Sequence, residues 1–174
     1  MSKRLSSMHQ LIIASPSIVL IWGLMSGALA AGISATNVDS IPRIISGERG
    51  QPTVVLLFSS RCSLSQNLWP RFLNFANQNR DKRISFLTFS TDKRQDDAID
   101  FISRYNVAFN CYWVEPWPAG ALDASMRPTG IQIGKTFNLP LVAVLDSSGG
   151  VVGQWQGLQD MSPIIDALKA INAM

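Results

Sequence analysis

The sequence predicts an α/β domain with a mixed central β-sheet flanked by helices. Three observations lead there. TVVLLF, Thr53–Phe58, is a continuous apolar and β-branched run, too short for a buried helix and suited to a central strand covered on both faces. Strand-like runs then alternate with segments of helical period, which argues for parallel pairing. Near the end, LVAVLD, the turn SSGG and VVGQWQG read as a hairpin, which adds an antiparallel pair. At 174 residues the chain is long enough for one domain with a real core.

The opening residues read as separate from that domain. Lys3 and Arg4 precede residues 11–30, LIIASPSIVLIWGLMSGALA, which carry no charge and end Ala28-Leu29-Ala30. This pattern is that of a secretory signal cleaved after Ala30. The rival reading is a retained anchor, since a bilayer core takes ~20 apolar residues as helix. Pro16, Gly23 and Gly27 weaken a permanent span without forbidding it. Either way the remainder is expected outside the cytoplasm, periplasmic or otherwise extracytoplasmic, with inner-membrane attachment open. Residues 31–50, broken by Pro42, Gly47 and Gly50, read as a linker with one short helix near residues 38–46. Residues 51–174 read as the domain.

Losing the leader changes the charge argument. Without Lys3 and Arg4 the 15 basic residues become 13 against 12 acidic ones, a net charge of +1. That gives no electrostatic footprint for nucleic acid. The leader also holds the only histidine, His9, so the exported part has no imidazole for a Cys–His pair or for copper or zinc. No metal and no cofactor are expected. Both cysteines, Cys62 and Cys111, lie in the exported part, where disulfides can persist.

The elements follow in order. After the first strand a helix starts near Ser63, with Leu64, Leu68, Phe72 and Phe75 on one stripe and Pro70 inside it as a kink. Residues 83–90, RISFLTFS, read as a second strand. Thr91 or Asp92 is the expected cap of the next helix, which turns Ile99, Ile102 and Tyr105 inward and stops near Asn106. FNCYWV, residues 109–114, is a short third strand. The long connection after it holds a predicted helix near residues 131–137. After the hairpin, Ser162 caps and Pro163 starts the last helix, whose apolar face is Ile164, Ile165, Leu168 and Ile171.

Cys62 stands where a buried strand ends and a helix begins. The first-turn N–H groups are free there and the helix dipole is positive, so the thiolate form is favoured. Arg61 adds a nearby positive charge, and Ser65, one turn along, is placed to donate its hydroxyl to the sulfur. The competing reading is an inert cysteine at a tight junction. Cys111 lies near the beginning of its strand, away from the strand end that faces the thiolate, so the two sulfurs are expected to be far apart and Cys111 to be a core residue. Trp113, Pro116, Trp117 and Pro118 form an aromatic-proline cluster that is either a peptide-docking lip or a plug on the core's rim. Asp96, Asp97 and Asp100 read as solvated surface.

LFSSRCSLSQNLWP, residues 57–70, resembles the active-site segment of thioredoxin-like proteins, especially the exported TlpA/ResA type of thiol–disulfide oxidoreductase. There an apolar strand leads into C-x-x-C, and a proline follows the first cysteine by eight residues, as Pro70 follows Cys62. GKTFNLPLVAVLDSSGGVVGQWQG matches the family's second half, with Pro140 in the cis-proline position and Asp146 before the turn. The resemblance spans residues 53–171. It implies a thioredoxin-like fold, a reactive Cys62, and a cis Pro140 that exposes the Leu139 backbone to an extended substrate. Partners would be exported protein thiols or disulfides. The departure is Ser65, which replaces the second cysteine, and Leu68, which stands where a helix Glu is common.

Three functions follow. One is single-thiol exchange or mixed-disulfide holding, with Cys62 and Ser65 catalytic and Leu139, Pro140 and Trp117 binding substrate. The alternative is a redox-inactive interaction module in an envelope assembly such as a conjugation or secretion system. A peroxiredoxin-type peroxidase has Ser59 three residues before Cys62 in its favour and Val55, where that family has proline, against it.

Overall fold

The computed structural model describes residues 32–134 and 136–174. The leader reading and His9 lie outside the described residues. Six strands form one sheet: β1 (Ile33–Thr36), β2 (Thr53–Phe58), β3 (Ser85–Ser90), β4 (Asn110–Val114), β5 (Leu141–Leu145) and β6 (Val151–Gln156). Their spatial order is β1-β4-β3-β2-β5-β6. β1, β4, β3 and β2 run parallel, whereas β5 pairs antiparallel with both β2 and β6. The mixed sheet is therefore the one that the strand–helix alternation and the closing hairpin predict.

β2 is buried along its whole length and feeds two cores. Val54, Leu56 and Phe58 face one core; Val55 and Leu57 face the other. This is the two-residue period of a strand with helices on both faces. The first core is closed by α2 (Ser63–Gln78), α3 (Gln95–Ile102) and α5 (Ser162–Ala170), through Leu68, Trp69, Phe72, Phe101, Ile164 and Leu168. Each such fully buried apolar side chain contributes about 1.5–3 kcal/mol of burial. The second core is closed by α1 (Ile41–Ser46) and α4 (Ala121–Met126), through Ile41, Ile45, Leu122 and Met126, together with Ile131 and Ile133.

Several local expectations are revised. Residues 33–50 are not a linker: β1 is the edge strand of the sheet, with Ile33–Thr36 in register with Cys111–Val114. Its sequence, ISAT, has no strong strand pattern, and its stability comes from the β4 partner. Pro42 occupies the first turn of α1, where its missing N–H costs nothing. The helix expected at residues 131–137 lies earlier, as α4 and a 3-10 turn at Arg127–Thr129. Leu122 and Met126 are buried four apart, the helical spacing, whereas Ile131 and Ile133 are buried two apart, outside helix and strand. In α3 the inward residues are Ala98, Phe101 and Ile102, and Ile99 is 41% exposed. Neither Thr91 nor Asp92 caps α3, because Arg94 is its N-cap and Asp92 is committed elsewhere. In α5, Asp160 rather than Ser162 supplies a cap-like bond, accepting the Ser162 N–H at 2.7 Å.

Pro70 lies inside α2 and is exposed. Its ring faces solvent while Leu68, Trp69 and Phe72 face the core, so the Gln66 carbonyl that it leaves without a helical donor is on the outer side.

Candidate functional site around Cys62

Because β2, β3 and β4 are parallel and β5 is antiparallel to β2, one edge of the sheet collects four segments. These are the ends of β2, β3 and β4 and the beginning of β5. Cys62 arrives there as the N-cap of α2, with extended backbone (φ −87°, ψ 119°) and no acidic residue in the helix's first turn. The thiol is half-buried and free. The chain enters β5 through a cis Leu139–Pro140 peptide. At that entry the Leu139 carbonyl lies against the thiol, and Cys62 Sγ donates to Leu139 O at 3.5 Å. Residues 77 positions apart thus meet at one point.

An open groove of about 620 Å³ runs past the sulfur, lined by Ser59, Arg61, Cys62, Ser63, Leu64, Phe137, Asn138, Leu139 and Gly157. A second, of about 580 Å³, shares Ser59, Arg61 and Leu139 and continues to Thr91, Lys93 and Arg94. Leu139 lines both grooves.

The turn before Cys62 is held from two sides. Asp92, 3% exposed, accepts from Ser59 Oγ at 2.6 Å, from Ser60 N–H at 3.0 Å to each oxygen, and from Ser90 Oγ at 2.7 Å. From the helix side, Gln66 Nε2 donates to Ser60 O at 2.6 Å. Cys62 N–H closes the turn on Ser59 O at 3.1 Å. Trp113 Nε1 donates to the Asp92 carbonyl at 2.8 Å, tying β4 to the same corner.

Ser65 is brought to the site but not in the predicted role. It is 2% exposed, and its Oγ accepts the Ser59 N–H at 3.4 Å, with no hydrogen bond to Cys62 Sγ. The hydroxyl braces the turn rather than the sulfur. Arg61 pairs with Asp97 at 2.9 Å, so its charge is partly matched and Asp97 is not simply solvated. Trp117 is half-buried against the second core and lines neither groove. Of the aromatic-proline cluster, Trp113 reaches the corner only through Asp92.

Cys111 sits in the first core, 2% exposed, as the strand polarity implies. Burial pushes its thiol up to about 11, a rise that a hydrogen bond with Thr88 only partly offsets. It stays a protonated thiol at neutral pH. Among the described residues no group of three or more His, Cys, Asp or Glu side chains could hold a metal ion.

Sequence reasoning missed Asp92, Phe137 and Gly157. Asp92 has one local signal, an acid two residues after a strand, which reads equally well as a helix cap. Phe137 and Gly157 line the groove only because β5 and β6 bring their flanking loops to the same edge.

Solved structures share this fold. A thiol:disulfide interchange protein of the thioredoxin family from Chlorobium tepidum aligns with a TM-score of 0.60 at 16% identity, over 80% of this chain and 90% of that one. The chain has a thioredoxin-like fold. The secreted disulfide oxidoreductase of Mycobacterium tuberculosis, described as homologous to E. coli DsbE, aligns with a TM-score of 0.53 at 16% identity, over 71% and 84%. The exposed lipoprotein thioredoxin Etrx1 of Streptococcus pneumoniae aligns with a TM-score of 0.54 at 19% identity, over 72% and 89%. No family model and no curated protein matches the sequence. Among the described residues no helix is long and apolar enough to cross a membrane.

Proposed function

We propose that this chain is an exported thioredoxin-fold protein that exchanges or holds disulfides through the single thiol of Cys62. The observation that carries the reading is the Cys62–Leu139 contact. A half-exposed thiol at a helix start lies 3.5 Å from the carbonyl that precedes a cis proline, on the floor of an open groove. The groove admits an extended chain whose main chain can pair with the Leu139 backbone while its sulfur meets Cys62.

The chemistry balances without a cofactor. Cys62 loses its proton to solvent, and its thiolate attacks one sulfur of a partner disulfide. The partner S–S bond breaks, the second sulfur leaves as a thiolate, and a Cys62–partner disulfide forms. In a C-x-x-C protein the second cysteine would then release the partner. Here Ser65 has no sulfur and Cys111 is buried in the core away from the groove. Release therefore falls to an external thiolate, which attacks the partner's sulfur: the Cys62–partner bond breaks, a disulfide between the partner and the external thiol forms, and Cys62 leaves as the thiolate. The partners are exported protein thiols or disulfides.

The uncharged residues 11–30 behind Lys3 and Arg4 support an extracytoplasmic location, free or attached to the inner membrane. The structural neighbours described as secreted or as an exposed lipoprotein support the same location. The alternative, a redox-inactive envelope module docking through Trp117, loses its main support because Trp117 packs on the second core. The test is to trap thiols by acid in cells making the chain or its Cys62→Ser variant. Mixed disulfides that vanish with Cys62→Ser and persist with Cys111→Ala are expected. Their absence from the unaltered chain would refute the reading.

A further inference from the structure

From Ile131 to Leu139 the described backbone is in neither helix nor strand, so its polar groups need partners from outside regular structure. Ile131 and Ile133 are buried in the second core, which draws this backbone down beside the edge strand β6. Asp123 Oδ1 accepts the Gly134 N–H at 2.8 Å, and two β6 side chains supply further partners. Gln154 Oε1 accepts the Gln132 N–H at 2.9 Å, and its Nε2 donates to the Gln132 carbonyl. Gln156 Oε1 accepts the Asn138 N–H at 2.9 Å, and its Nε2 donates to the Ile133 carbonyl at 3.5 Å. The two glutamines are two residues apart, opposite Ala143 and Leu141 of β5, and so share one face of the sheet. Each amide uses one donor and one acceptor, as a neighbouring strand's peptide group would.

This ladder ends at the thiol. Asn138 is held by Gln156, and the Pro140 carbonyl accepts the N–H of the next residue, Gly157, at 2.8 Å. Between those two bonds lies Leu139, whose carbonyl takes the Cys62 thiol. Leu139, which lines both grooves, is thus flanked by ties to residues 156 and 157. Only the Gln156 tie is made by a side chain and is open to substitution.

We infer that Gln156 is a positioning residue that sets the Asn138–Leu139 backbone in place for docking an extended substrate chain beside Cys62. The inference rests on the exchange reading of Cys62. It separates two properties of the site. Reaction of the bare sulfur with a small reagent does not need the docking backbone; reaction with a peptide disulfide does.

The experiment uses the full chain and two reagents: iodoacetamide, and an extended peptide whose cysteine carries a thionitrobenzoate mixed disulfide. Cys62 attacks the peptide sulfur, the S–S bond breaks, and coloured thionitrobenzoate leaves. Gln156→Leu removes the acceptor for Asn138 and is expected to slow the peptide reaction about fivefold, the equivalent of one hydrogen bond, with iodoacetamide nearly unchanged. Gln156→Glu keeps an acceptor oxygen and is expected to restore the ratio of the two rates. Gln156→Ser serves the same comparison if Gln156→Leu does not fold. An equal fall with both reagents, or Gln156→Glu as slow as Gln156→Leu, overturns the inference alone. Failure of the unaltered chain to release thionitrobenzoate overturns the exchange reading and the inference with it.

Discussion

Replacing Asp92 by alanine tests whether a buried carboxylate holds the turn that carries Cys62. Three groups donate to it: Ser59 Oγ at 2.6 Å, Ser60 N–H at 3.0 Å and Ser90 Oγ at 2.7 Å. Hydrogen bonds to a charged group contribute about 1.5–3 kcal/mol each. They do not add fully, because the two serine hydroxyls can rotate to other acceptors. The Ser60 N–H cannot rotate, and its loss leaves a backbone donor without a partner at a constrained turn. The expected cost of Asp92→Ala is therefore about 3 kcal/mol, compared with at most about 0.5 kcal/mol for the exposed Asp81→Ala. For a domain of this size that is a fall in Tm of roughly 10 °C. Asp92→Asn keeps one acceptor oxygen and turns the other position into a donor facing donors, so about half the loss is expected. Urea unfolding followed by far-UV circular dichroism gives the three stabilities. Iodoacetamide trapping of Cys62 below the unfolding transition reports the turn itself. Asp92→Ala within about 0.5 kcal/mol of the unaltered chain would refute the assignment of Asp92 as the brace of this corner.

The pH dependence of stability should carry the signature of Cys111. Its folded value of about 11 lies above the ordinary value of 9.0, so the folded state holds the proton more tightly. Stability is fully present below about 9 and falls as pH rises toward 11, by about 3 kcal/mol in total. Tyr112 is also raised, chiefly by burial, so the Cys111 share is read as the difference from Cys111→Ala. Equal slopes in the two proteins would contradict it. Ser65→Cys should complete a C-x-x-C motif, and on mild oxidation the introduced cysteine should form a disulfide with Cys62, scored by loss of two alkylatable thiols. Mixed disulfides should become scarcer in cells making that variant. Trp117→Ala should destabilise the domain by about 2 kcal/mol through lost packing on the second core and leave the reaction of Cys62 with a peptide disulfide within about twofold, measured by chemical unfolding and thiol release. A loss of exchange of about tenfold at unchanged stability would return Trp117 to the substrate site.

The parts of the fold that are legible in the sequence are those whose signal is local. β2 announces itself as six consecutive buried residues, and the closing hairpin as two strands around SSGG. Cys62 at a strand–helix junction and Pro140 before a strand are likewise local patterns. β1 is not legible, because four residues, ISAT, become a strand only through β4. The helix expected at residues 131–137 does not form, since two isoleucines two apart are buried together, a spacing that a helical face does not give. Ser65 lies one turn along the helix as expected but with a different partner: its donor is the Ser59 backbone, a consequence of how tightly the turn closes.

By itself the sequence determined the order of strands and helices from β2 onward, the isolation of one thiol at a helix start, and the absence of a second cysteine three residues on. These depend on periodicity and residue type, which a linear chain displays directly. The tertiary structure alone decided which groups meet that thiol. Leu139 lies 77 positions from Cys62, Asp92 lies 33 from Ser59, and Gln156 lies 18 from Asn138. Parallel strand ends and an antiparallel return deliver these groups to one edge of the sheet. A hydrogen bond across such distances is set by strand direction and register, and neither is written in the residues that make it.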